Sequence, residues 1–297
     1  MWPRRKQEQG GPPFSQLADT ASVAEPALAA FPSFGNAATA LVGTPESSLR
    51  TTVKNRLLND MICAFGKERM GVVMCVDGST MRSLSAVFRM SELTELNVHL
   101  VDNITMKTPN GEYLRRQPMP DMTAVYYITP TVESVNRLIA DFRDKKKPMY
   151  GTCHLFFSSP LSDALFIKIK AAAVIGRVAG LKELNLEMVC SEPNAFTFDS
   201  PQSLPSLFTP DESPASSEGK LQEQHRLAAM LTTLFATLGE MPHIRHSSRE
   251  VAASVASILH TKLNEMARPG GTFPSRILTD AEKPTLLLLD RSSDLLS

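Results

Sequence analysis

Several common chemistries have no foothold in this sequence of 297 residues. There are four cysteines, Cys63, Cys75, Cys153 and Cys190; none form a CxxC pair and each sits among apolar neighbours. That pattern reads as small buried hydrophobes in a reducing compartment, not as a zinc site or a disulfide framework. Charge of one sign is also lacking, since 31 Lys and Arg balance 31 Asp and Glu. A general nucleic-acid binder needs a net basic surface, so nucleic acid is not an expected partner. No run approaches the ~20 apolar residues of a membrane span. The basic start, MWPRRKQEQGGPP, is not followed by an apolar stretch of the kind a secretory signal carries. The expectation is a cytoplasmic protein that meets membranes only peripherally, through partners.

Catalytic motifs are equally scarce. The GxGxxG fingerprint is missing, Gly66–Gly71 (GKERMG) lacks the Walker spacing, and no GxSxG elbow occurs. His99 and His154 fall within apolar segments, and His243 and His246 stand three apart without a third ligand nearby. No metal and no cofactor is therefore expected. One position invites chemistry. Asp77 leaves a strand-like run and is followed by Gly78-Ser79-Thr80, where a doubly wound sheet usually binds its ligand. Two readings stay open there: a nucleotide- or metal-binding site of a Rossmann-like enzyme, or a helix cap with no chemistry.

What is present is the pattern of an α/β protein. The 42% of hydrophobic residues can supply a sizeable core. Residues 1–47, rich in Pro, Ala, Ser and Gly, show no sustained apolar period and are expected to form a disordered arm. Leu49–Phe65 repeats apolar residues at helical spacing through Val53, Leu57, Met61 and Phe65. Strands are expected at Gly71–Asp77, Asn97–Val101, Ala124–Ile128, Gly151–Phe157, Leu184–Val189 and Thr285–Leu289. Helices are expected at Met81–Met90, Val132–Phe142, Leu161–Val178, His225–Leu238 and Ser247–Met266, with Ser191–Gly219 irregular. Strand–helix alternation with polar strand exits predicts mostly parallel sheets in two Rossmann-like or flavodoxin-like lobes. The charged run Asp144–Pro148 reads as the boundary between them.

An ordered series of segments then resembles one family. Val76–Leu84 (VDGSTMRSL), Phe88-Arg89-Met90, Val101–Ile104, Ala124–Pro130 (AVYYITP) and Val135–Phe142 (VNRLIADF) follow one another as in the first lobe of the SM proteins, the Sec/Munc-type syntaxin-binding factors. The series continues with His154–Phe157, Asp163–Phe166, Ala236–Pro242 with Arg245, and Leu287–Arg291. The resemblance covers about Leu49 to Arg291 and implies a non-enzymatic protein of vesicle docking, exocytosis and protein transport whose partners are syntaxin and assembled SNARE proteins. By motif position it implies binding residues at Arg82, Arg89 and Asp102, with Asp77 beside them in a positioning role. Strand exits and the helices that follow form one rim, so Asp77, Arg82 and Asp102 are expected to share a surface.

The resemblance also implies a domain plan. Residues 48–147 correspond to the syntaxin-binding first domain, 148–246 to the first segment of the second, and 247–297 to the start of a third, mostly helical domain. The family's last strand here runs into Asp-Arg-Gly-Phe-Asp-Pro, whereas this sequence has Asp290-Arg291-Ser292-Ser293-Asp294-Leu295 and ends two residues later. A C-terminally truncated product with about half of the family architecture is the expectation, its apolar strand Thr285–Leu289 lacking a partner sheet.

Overall fold

The computed structural model describes residues 48–63, 71–144, 146–208, 214–267, 273–274, 278–279 and 281–290. The arm expected at 1–47 lies outside the described residues. Helix α1 (Leu49–Leu57) starts at Ser48, whose hydroxyl caps it by accepting from Thr51 N, and it runs on into a π-turn at Leu58–Ile62. Five strands follow with intervening helices: β1 (Val72–Val76), α2 (Gly78–Val87), α3 (Met90–Glu95), β2 (Val98–Asn103), β3 (Met119–Ile128), α4 (Val132–Asp141), β4 (Tyr150–Phe157), α5 (Asp163–Ala171) and β5 (Val178–Glu183).

All five strands are parallel and their order is β2-β1-β3-β4-β5. This is the flavodoxin-like doubly wound order, with its reversal between β1 and β3. Every residue of β1 is buried, which is why its sequence is a continuous apolar run instead of an alternating one. Side chains along a strand point to opposite faces in turn. Val72, Met74, Val76, Val125, Tyr127 and Phe156 thus pack under α1 and α2, beneath Leu57, Met61, Leu84 and Val87. Val73, Cys75, Tyr126, Ile128, Leu155 and Phe157 pack under α4 and α5, against Val135, Leu138, Leu165 and Ile169.

Beyond the sheet come a small antiparallel hairpin, β6 (Val189–Glu192) with β7 (Ala195–Thr197), the short helix α6 (Ser203–Phe208) and the long helix α7 (Pro214–Leu238). Strand β8 (His243–His246), helix α8 (Glu250–Met266) and strand β9 (Thr285–Leu288) complete the described chain. Strands β8 and β9 pair in parallel, and with α7 and α8 they enclose a separate core around Phe235, Val255, Leu259 and Leu263.

The α/β class with parallel sheets is as the sequence indicates, but several boundaries differ, and Ser191–Gly219, expected to be irregular, carries β7, α6 and the first turns of α7. Strand β4 pairs directly with β3 and β5 with β4, so the expected division at 147/148 falls inside one sheet. Likewise α8 and β9 share a core with α7 and β8 across the expected division at 246/247. The apolar strand at Thr285 does have a partner, β8, which its polar sequence HIRH concealed. The fifth strand is Val178–Glu183, not Leu184–Val189. An edge strand with Lys182 and Glu183 has no buried run to betray it. Leu184, Leu186 and Met188, by contrast, alternate into the core and so imitate a strand without pairing in the sheet.

Candidate functional site

The reversal point of the sheet lies where β1 and β3 end, and Asp77 occupies it. Its carboxylate caps α2: Oδ1 accepts from Ser79 N and Thr80 N, both at 3.0 Å. Across the crevice Thr129 N donates to Oδ2 at 2.6 Å, Ser134 Oγ to Oδ2 at 2.9 Å, and Thr129 Oγ1 to Oδ1 at 3.2 Å. The Thr80 hydroxyl closes the cap from the other side by donating to Tyr127 O at 2.7 Å. The residue is buried and its lone pairs are engaged by the protein itself. Asp77 is therefore not available to a partner, a metal or a nucleotide; it ties the start of α2 to the end of β3 and the start of α4. Among the described residues no three His, Cys, Asp or Glu cluster to hold a metal.

Arg82 and Arg89 are both exposed. Arg82 projects from the second turn of α2 and ion-pairs with Asp199, beyond the β6–β7 hairpin. Arg89 begins α3, and its backbone N–H donates to Glu92 Oε2 at 2.8 Å. That bond and the Lys54 ammonium, 2.6 Å from Glu92 Oε1, hold the Glu92 carboxyl below its usual range. Lys54 also lies 5.2 Å from the centre of the Phe88 ring. The flanking Leu84, Val87, Phe88 and Leu93 all pack into the core beneath α1 and α2. The helices that carry Arg82 and Arg89 thus lie on the same side of the sheet, with Lys54 beside the start of α3.

Asp102 does not join them. Its neighbours in sequence alternate across the sheet, Val101 packing under α1 and α2 and Leu100 under α4 and α5. The Asp102 carboxylate goes with Leu100, where the Tyr150 hydroxyl donates to it at 3.4 Å. The Cys75 thiol in turn donates to Tyr150 Oη at 3.6 Å, and burial pushes that thiol up to about 12. Nearby, Asp141 accepts from the Tyr126 hydroxyl at 2.7 Å and from Arg116 at 2.5 Å, an ion pair with side chains only 5% and 3% exposed. The shared rim expected of Asp77, Arg82 and Asp102 is therefore split: one buried, one on each face. Period-two alternation along β2 would have separated Asp102 from Arg82, had the bulge between Val72 and Val73 been foreseeable. Nothing local in the sequence marks Asp199 as Arg82's partner, because the two lie 117 residues apart.

The family model described as Sec1 family matches residues 72–297, and the chain belongs to that family. Protein transport protein sec1 of Dictyostelium discoideum is 34% identical over 251 residues, 84% of this chain. The SNARE-interacting protein KEULE of Arabidopsis thaliana is 30% identical over 266 residues, 85% of this chain. The chain spans 39% and 38% of the length of those two relatives. Among solved structures, the Unc18–syntaxin 1 complex from Monosiga brevicollis is similar with a TM-score of 0.69 and 29% identity, over 84% of this chain and 41% of that one. Among the described residues no helix is long and apolar enough to cross a membrane.

Proposed function

We propose that the chain binds a syntaxin-type SNARE through the face that carries Arg82 and Arg89, and that it serves vesicle docking and fusion in exocytosis and protein transport. The supporting observation is the pair of exposed arginines on one side of the sheet of a Sec1-family lobe, together with the likeness to a solved Unc18–syntaxin 1 complex. Guanidinium groups suit this task because their planar forks engage carboxylates in two parallel hydrogen bonds and so set orientation. A helical bundle presenting acidic side chains is the matching ligand, recognised helix against groove.

Asp77 acts as a positioning residue: its five donors hold the α2 start, from which Arg82 projects, against β3 and α4. Asp102 holds the exit of β2 from the opposite side. The protein works by binding, without a catalytic centre or cofactor, and reaches the membrane only peripherally, through its cytoplasmic SNARE partners. We assign the five-stranded unit to the SNARE grip and the α7–α8 unit to the beginning of the next domain. The test is a pull-down with the full cytosolic part of a syntaxin. Wild-type chain is retained and Arg89→Glu is depleted at least several-fold; equal retention of both removes Arg89 from the interface.

A further inference from the structure

Ser200 accepts from an arginine of one element and follows a residue that pairs with an arginine of another. The preceding residue, Asp199, is held in the left-handed region at φ 48° by its N–H bond to Thr197 Oγ1 at 3.0 Å, and it ion-pairs with Arg82. The Ser200 hydroxyl oxygen itself accepts from Arg226 Nη2, on α7. The same nitrogen donates to Ser203 Oγ at 3.0 Å and to Glu223 Oε1 at 2.5 Å, while Arg226 Nε donates to Glu223 Oε2 at 2.8 Å. Pro201 and Gln202 are exposed, so the segment passes over the surface as an Asp-Ser-Pro turn. A serine followed by proline is the acceptor that proline-directed kinases use.

Other Ser-Pro and Thr-Pro steps among the described residues lack such a receptor. Thr108 Oγ1 donates to the backbone oxygen of Glu112 at 3.2 Å, Thr129 Oγ1 lies 3.2 Å from the Asp77 carboxylate, and the Ser159 side chain hydrogen-bonds the Glu187 carboxyl. A phosphate at Thr129 or Ser159 would face an existing negative charge. At Ser200 the carboxylates of Asp199 and Glu223 are also near, but there a guanidinium already donates to the hydroxyl that would carry the phosphate.

We propose that Ser200 is a phosphorylation site received by Arg226, and that its phosphate, beside Asp199, keeps Arg82 on this chain and away from a SNARE partner. The second half rests on the reading of Arg82 given above. In the step itself the γ-phosphorus of ATP bonds to Ser200 Oγ, its bond to the β–γ bridging oxygen breaks, ADP leaves and the hydroxyl proton passes to the kinase. The product carries a charge of about −1.5 to −2 and three strong acceptor oxygens. Arg226 then divides its donors between the phosphate and Glu223. Arg82, 56% exposed, is paired with Asp199, the residue that immediately precedes the new phosphate.

The test treats the full chain and Ser200→Ala with a proline-directed kinase and ATP, maps the product by fragment mass spectrometry, and follows the phosphorus-31 resonance against pH. Ser200 is expected to be modified, and its second phosphate ionisation to fall below the ~6 of free phosphoserine and return there in Arg226→Leu. Affinity for a syntaxin cytosolic domain is expected to fall several-fold on phosphorylation of the wild type and not to change in Arg82→Ala. An unmodified Ser200, when a peptide of the same sequence is modified, overturns the site. Identical ionisation in wild type and Arg226→Leu overturns the receptor. Unchanged affinity after phosphorylation, with Arg82→Ala weakening the unmodified chain, overturns the switch but not SNARE binding. If the unmodified chain binds no syntaxin, the SNARE reading and the switch both fail, and the titration still decides the receptor.

Discussion

At the scale of single residues, the position that most resembles a catalytic site is the one that holds the fold together. Asp77 sits where doubly wound sheets bind ligands, yet its carboxylate is spent on five donors of its own chain. Replacing it by alanine removes a helix cap and leaves the amides of Ser79, Thr80 and Thr129 without an acceptor. With a cap worth about 1 kcal/mol and each buried unpaired group costing about 1–3 kcal/mol, Asp77→Ala is expected to destabilise by about 3 kcal/mol in urea unfolding. Glu187 offers the opposite sign. Burial raises its carboxyl above the usual value, against a hydrogen bond from Ser159 and the charge of Arg226. Between the unfolded and the folded pKa the native state holds more protons, so its stability falls as pH rises through that window. Glu187→Gln is thus expected to stabilise the protein at pH 7, and thermal unfolding should show that gain disappear below about pH 4.

Among the elements, legibility followed burial. Strands β1, β3 and β4 were readable because they are apolar runs covered on both faces, and α1 and α4 because one side of each faces the core. Strand β5 escaped because it is a half-buried edge, and β8 because it is short and polar. The family resemblance singled out Arg82 and Arg89, and both are exposed. The partner of Arg82, Asp199, was not legible, since no local pattern records a contact across 117 residues. One backbone approach was also invisible. A side chain at Gly151 would place its Cβ 2.7 Å from Pro120 O, at the irregular start of the β3–β4 ladder. Backbone cannot yield as a flexible side chain can, so Gly151→Ala is expected to cost about 1–3 kcal/mol, the range for overpacking. Hydrogen exchange should show the loss concentrated at Met119–Thr123 and Tyr150–Thr152.

At the scale of the whole molecule, the sheet unit and the α7–α8 unit are joined through Arg56. This half-buried guanidinium donates to Thr237 Oγ1 on α7 at 2.8 Å and to Leu184 O, just beyond β5, at 2.9 Å. Burial lowers its pKa, against the attraction of Asp60. Arg82 and Arg89 both lie on the sheet unit, Arg82 on the helix that Asp77 caps. The chain covers about two-fifths of the relatives it matches, so the claim concerns what this portion grips. Titration calorimetry of the chain with a syntaxin cytosolic domain tests it most directly. Saturable one-to-one binding that Arg82→Glu with Arg89→Glu weakens at least tenfold, while Asp102→Asn leaves it unchanged, is the predicted result. No heat of binding to any syntaxin from a folded chain, or full affinity in the double variant, would contradict it.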